Sequence, residues 1–309
     1  MAQQKSAPAY YYASSAGAGA FWALRINDVT IWREFSARDT NFTLPVNAYL
    51  QSGHNEVSVT FVSVQGDPYE YNVATSDFYN LTEIERLDLV SRERKKATLV
   101  NIELDADNKA TSPEMTRFGL PVVSPATPPR RVSGGGLDQT DLADGWGSAW
   151  NARRITAVFE IADELPAPPW AHAPRLEDTP ELRASLLAAY RELHAAISSG
   201  DRARIRALYE PAWTHIAATM HYASVDKFLE KTKGLDHLGP VDSNGQRLQP
   251  LDLVQGERDF VIEFMAGGRL ARIVPDPVLW GDDADNMEST NVAFFLGPDQ
   301  RLRIGAVLY

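Results

Sequence analysis

The sequence predicts two folds in series, an antiparallel β-sandwich followed by an α+β domain. Three observations carry this. Apolar residues alternate at a two-residue period through much of residues 21–165, four prolines then crowd residues 162–174, and a long amphipathic helix at 179–200 precedes a second set of period-two stretches. At 309 residues the chain is long enough for two cores.

Residues 1–20 read as a flexible N-terminus rich in Ala, Ser, Gly and Tyr. Ala16, Ala18 and Ala20 imitate small-x-small cleavage sites, but no Leu-rich core precedes them. The Ala-Gln-Gln-Lys opening favours an exported, periplasmic mature form over a cytoplasmic one. Strands are then expected through Phe21–Ile26, Val29 and Ile31, Phe42–Val46, Val57–Phe61, Tyr69–Val73, Thr98–Leu104 and Arg154–Ile161, separated by Gly, Asn and Asp turns. Residues 81–94 fit either a short amphipathic helix or a strand, and the strand is favoured. Residues 111–150 read as a long exposed Pro/Gly-rich loop, with five prolines and the triple glycine Gly134, Gly135 and Gly136. Within it Trp146 and Trp150 either anchor the loop or form an aromatic recognition edge.

Two stretches carry a resemblance: 24–29 (LRINDV) and 50–59 (LQSGHNEVSV). They resemble the opening of galactose-binding-like jelly-roll sandwiches, with Asp28 where those modules usually have Gly. The resemblance implies hairpin turns and a core strand, and it carries no ligand residues.

After a Pro-rich linker at 166–175, the second domain opens on its best-formed element. Leu182, Leu186, Tyr190, Leu193 and Ile197 mark one helical face, Thr179 caps it, Pro180 fits the first turn, and Gly200 ends it. Asp201 starts a short helix through Leu208, Pro211 breaks it, a third helix runs through Trp213 and Met220, and Ser224 caps a fourth ending at Gly234. Strands are expected at 251–254, 260–265, 270–273, 292–296 and 302–308. This order, with 186–190 (LLAAY), 199–201 (SGD) and 293–304 (AFFLGPDQRLRI), resembles the NTF2-like, or SnoaL-like, helix-and-curved-sheet fold. That resemblance implies a pocket between the sheet and the long helix over 176–309.

Chemistry is sparse. The formal charge of −11 argues against a nucleic-acid partner, and the absence of cysteine excludes disulfides, thiolate metal sites and cysteine nucleophiles. The basic run at 92–96 reads as a solvated turn or strand end. Six scattered histidines show no zinc spacing, 282–288 (DDADNME) lacks the glycine and terminal glutamate of a calcium loop, and no metal or cofactor is expected. No stretch is long and apolar enough to span a membrane. Tyr190, His194, Trp213 and Glu263 are the pocket candidates. Tyr190 and His194 lie four apart on the long helix, and Glu263 points either into the pocket or onto a solvated face. The expected function is non-catalytic recognition of another protein, an exported bacterial accessory or immunity-type partner. The alternatives are an isomerase- or dehydratase-type enzyme using the second domain's pocket, and carbohydrate binding by the sandwich through Trp146 and Trp150.

Overall fold

The computed structural model describes residues 8–66, 68–71, 78–104, 110–111, 117–118, 122–124, 130–131, 152–251, 260–281 and 287–308. The chain divides into two compact units, with the division between Ala167 and Pro168. Trp146, Trp150, the triple glycine and residues 282–286 lie outside the described residues.

The first unit is antiparallel β-structure. Its strands are β1 (Ala9–Ala18), β2 (Ala20–Ile26), β3 (Val29–Glu34), β4 (Thr40–Pro45), β5 (Gly53–Gln65), β6 (Glu70–Tyr71) and β7 (Tyr79–Asp88). They continue with β8 (Arg94–Leu104), β9 (Ala110–Thr111), β10 (Arg117–Phe118), β11 (Val122–Ser124), β12 (Arg130–Arg131) and β13 (Arg153–Ile161). One sheet has the order β10-β8-β7-β1-β4 and the other β11-β13-β5-β2-β3. Rings stack from sheet to sheet: Phe42 of β4 lies 5.9 Å from Trp22 of β2 and 4.4 Å from Trp32 of β3.

Two expectations change here, and a third is met. Residues 9–18, read as flexible, form β1, which pairs with β4 and β7. Its buried positions include Ala9, Tyr11, Ala13 and Ser15, so a two-residue burial period is present but written mostly in small residues. Residues 81–94 hold the end of β7, a turn and the start of β8, as the strand reading has it. Short strands β10, β11 and β12 fall inside 111–150, where a loop was expected; they are two or three residues long and join sheet edges by backbone pairing.

The residues of the two jelly-roll-like stretches act as turn clamps. Asn27 and Asp28 take left-handed φ values of 49° and 62°, the geometry of a tight hairpin between β2 and β3. The Asn27 amide donates to the Tyr49 carbonyl and to Asn55 Oδ1, while its own oxygen accepts from the Glu56 N–H. Asn55 Oδ1 also accepts from the Gln51 N–H, and its amide donates to the Gln51 and Gly53 carbonyls. Two asparagines thus satisfy a run of backbone groups that no strand serves. Elsewhere in the unit Tyr11 donates to Asp163 at 2.6 Å, and Arg86 grips the same carboxylate through Nε at 2.8 Å and Nη2 at 3.2 Å.

Among its described residues the second unit packs three helices, α1 (Pro180–Ser198), α2 (Arg202–Thr219) and α3 (Val225–Thr232), on a four-stranded antiparallel sheet. Its strands are β14 (Val261–Met265), β15 (Leu270–Val274), β18 (Val292–Leu296) and β19 (Leu302–Val307), in the order β14-β15-β18-β19. β16 (Leu279–Trp280) and β17 (Glu288–Ser289) form a separate ribbon. The caps are those expected: Thr179, Asp201 and Ser224 each accept from an N–H three residues on, and Gly200 has φ +66°. Pro211 does not break α2, which runs unbroken through it. Tyr209, Ala212 and Trp213 are buried on the core side, and that packing outweighs the lost backbone bond. The core joins Leu186, Leu193 and Ile197 of α1 and Tyr209 of α2 to Ile262, Ile273, Phe294 and Ile304 of the sheet. The expected strand at 251–254 lies mostly outside the described residues.

Candidate functional site

The four pocket candidates occupy four structural positions. Tyr190 is fully buried, and its hydroxyl donates to the Val292 carbonyl at 3.2 Å and accepts from the Ile273 N–H at 3.3 Å. Ile273 is on β15 and Val292 on β18, strands that share a single paired position, Ala271 with Phe294. The phenol therefore stands between two strands and bridges backbone groups that would otherwise bond across the ladder. Burial holds its hydroxyl well above the ordinary tyrosine range, with Asp276 adding to the effect.

This gives the Tyr190→Phe substitution a defined outcome. It leaves a buried N–H and a buried C=O without their shared partner, and a loss of about 2 kcal/mol in chemical denaturation is expected. The raised hydroxyl also ionises only after unfolding. Its stabilising contribution is complete below about pH 10 and falls by about 1.4 kcal/mol per pH unit above it, so the variant shows a shallower alkaline decline in stability. An unchanged midpoint would count against the bridge.

His194 is partly buried, with Nε2 2.8 Å from the Gln249 carbonyl. Gln249 in turn donates its N–H to Leu279, and Leu248 bridges to Trp280, so the imidazole ties α1 to the β16–β17 ribbon. Trp213 is buried and stacks on Tyr209 at 4.7 Å. Tyr209 meets Thr290 at 2.5 Å, and burial raises its hydroxyl as well.

Glu263 corrects both readings of its face. It alternates with Ile262, which packs on the helices, and so points away from them. Yet it is 0% exposed and forms an ion pair with Arg272 at 2.5 Å. Arg272 also reaches Asp276 at 3.3 Å and Asn291. Burial acts to lower Arg272, but Glu263 and Asp276 outweigh it and hold the guanidinium charged. Each of the four side chains is engaged in holding the unit together. Among the described residues no group of three or more His, Asp or Glu could hold a metal ion, and no helix is long and apolar enough to cross a membrane.

A concavity among the described residues of this unit lies elsewhere. An open groove of about 650 Å³ runs between α1, α2 and the β18–β19 hairpin. Leu193, Leu208, Phe294, Leu302 and Ile304 give it an apolar floor, and the small side chains Ala189, Ala203 and Ala207 line its helical walls. Four charged side chains line it, and three are paired: Glu192 with Arg204, Arg206 with Asp226 at 3.0 Å, and Arg303 with Asp299 at 2.9 Å; Glu210 accepts from the Thr214 hydroxyl at 3.4 Å, and Arg206 Nε is buried without a hydrogen-bond partner. None of Tyr190, His194, Trp213 and Glu263 lines it. Sequence reasoning passed over the groove because its walls are alanines, the commonest residues of any helix. The signal that marks it is Ala203, Ala207 and Pro211 on one face over successive turns, where every intervening exposed position is polar or charged. No protein-family model, curated protein or solved structure matches this chain.

Proposed function

We propose that this is a non-catalytic recognition protein whose second unit, built on an NTF2-like plan, receives part of another protein in the α1–α2–β19 groove. The observation that carries the reading is the groove's lining. It has an apolar floor and small-residue walls, and three of its four charged lining side chains, all but Glu210, are held in ion pairs, a surface suited to burying apolar side chains against a mostly neutralised rim. The enzyme reading asks Tyr190, His194 and Glu263 to meet on one cavity; all three are committed to internal bonds instead. An exported accessory or immunity-type role is the biological setting that fits such a module.

Ala207 tests the proposal because it lines the groove, is exposed, and sits in a helix that tolerates arginine. Affinity capture from the native source with the wild-type chain and with Ala207→Arg is expected to recover a partner with the first and lose it with the second. Recovery of the same proteins by both, or of none by either, would remove the reading.

A further inference from the structure

Residues 241–247 form a tight hairpin closed by the Val241–Arg247 bridge, and none of them lines the groove. Asp242 donates its N–H to the Gln246 carbonyl at 2.9 Å, and Gly245, with φ +83°, supplies the left-handed residue of the turn. Asp242 and Gln246 therefore stand opposite one another, with their side chains on the same face. Asp242 is only 8% exposed. Its Oδ1 accepts from the Asn244 and Gln246 N–H groups at 2.9 and 2.7 Å, but its Oδ2 is buried with no hydrogen-bond partner. Gln246 Oε1 is buried and partnerless as well. Asn244 donates Nδ2 to Glu288 Oε1 at 2.5 Å, which brings a second carboxylate to the tip of the hairpin. Neither Asp242 nor Glu288 forms an ion pair among the described residues.

We infer that this hairpin binds a hard divalent cation, calcium before magnesium, with Asp242 Oδ2 and Gln246 Oε1 as its first ligands and Glu288 as the second carboxylate. Charge decides between a cation and the neutral alternatives. A water molecule, or a Gln246 amide turned over to present its N–H, supplies hydrogens to the Asp242 carboxylate but leaves its buried negative charge unanswered. A cation balances that charge and takes a lone pair from each oxygen at once. Every ligand offered is an oxygen, from carboxylates and an amide, the set that selects calcium or magnesium over zinc or copper. Mixed carboxylate and amide ligands on a surface turn do not impose the near-ideal octahedron that magnesium demands, which favours the larger ion. Only two of these residues are acidic, and they lie far apart in the chain, so no acidic motif marks the site in the sequence.

Calcium chloride titration of the full chain, followed by amide chemical shifts against sodium chloride at matched ionic strength, tests the site. Shifts are expected at residues 242–247 and 288, with a dissociation constant of about 10⁻⁴–10⁻³ M and with magnesium about tenfold weaker. Asp242→Asn keeps an oxygen for the two N–H groups of the turn but removes the charge, so the hairpin persists while calcium affinity falls by about tenfold. Gln246→Glu adds a carboxylate on the same face, and calcium affinity is expected to rise about tenfold, a gain that a purely structural glutamine would not give. No calcium-dependent shift in the wild type, equal affinity in Asp242→Asn, no gain in Gln246→Glu, or shifts centred away from the hairpin would each overturn the inference. None of these outcomes bears on partner capture by the groove, which Ala207→Arg tests separately.

Discussion

Glu263→Ala is expected to cost about 3–5 kcal/mol of the second unit's stability, read from the urea midpoint, because it strands the buried Arg272 guanidinium. Asp276 remains beside Arg272 at 3.3 Å and recovers only part of the lost interaction, since its own side chain is already shared with Ser289. The pair need not be a net source of stability. Replacing both members together, Glu263→Leu with Arg272→Met, removes two desolvation penalties along with one attraction, and is expected to return most of the loss. A double variant as unstable as Glu263→Ala would show instead that the ion pair itself stabilises the sheet.

The second large effect belongs to the first unit. Asp163 accepts from Tyr11 on β1 and from both nitrogens of the Arg86 fork on β7, just beyond the end of β13. It thereby fastens the segment after the last strand to the middle of the opposite sheet. Asp163→Ala leaves a partly buried cation and a buried hydroxyl behind, and a loss of about 3 kcal/mol is expected. Asp163→Asn keeps the shape and one acceptor and should cost less, because only the charge-assisted part of the bond is removed. Equal losses from the two substitutions would place the effect in packing rather than charge.

The fold was legible wherever large apolar residues set the period. Val292–Leu296 was read to the residue, and the caps at Thr179, Asp201 and Ser224 follow from side chains whose oxygens have no better use. β1 was missed because, apart from Tyr11, its inward positions are filled by small residues, which leave little hydrophobic contrast with the outward ones. Pro211 misled because local chemistry argued for a break, while Trp213 and Tyr209, whose burial only the tertiary structure reveals, keep the helix continuous through it. The candidate site was the least legible part. Tyr190, His194 and Glu263 are the residue types that chemistry would use, and here hydroxyl, imidazole and carboxylate are all spent on the architecture. The groove's helical walls are made by side chains that stop short, and only the four-residue spacing of Ala203, Ala207 and Pro211 marks them in the sequence.

Tyr190's place between β15 and β18 has a kinetic consequence. An amide bonded within a ladder exchanges its hydrogen only when strands part, but the Ile273 N–H is held by a side chain that belongs to a helix. Its isotope exchange therefore follows the lifting of α1 from the sheet, and a single backbone position reports how often this unit opens along its helix–sheet seam.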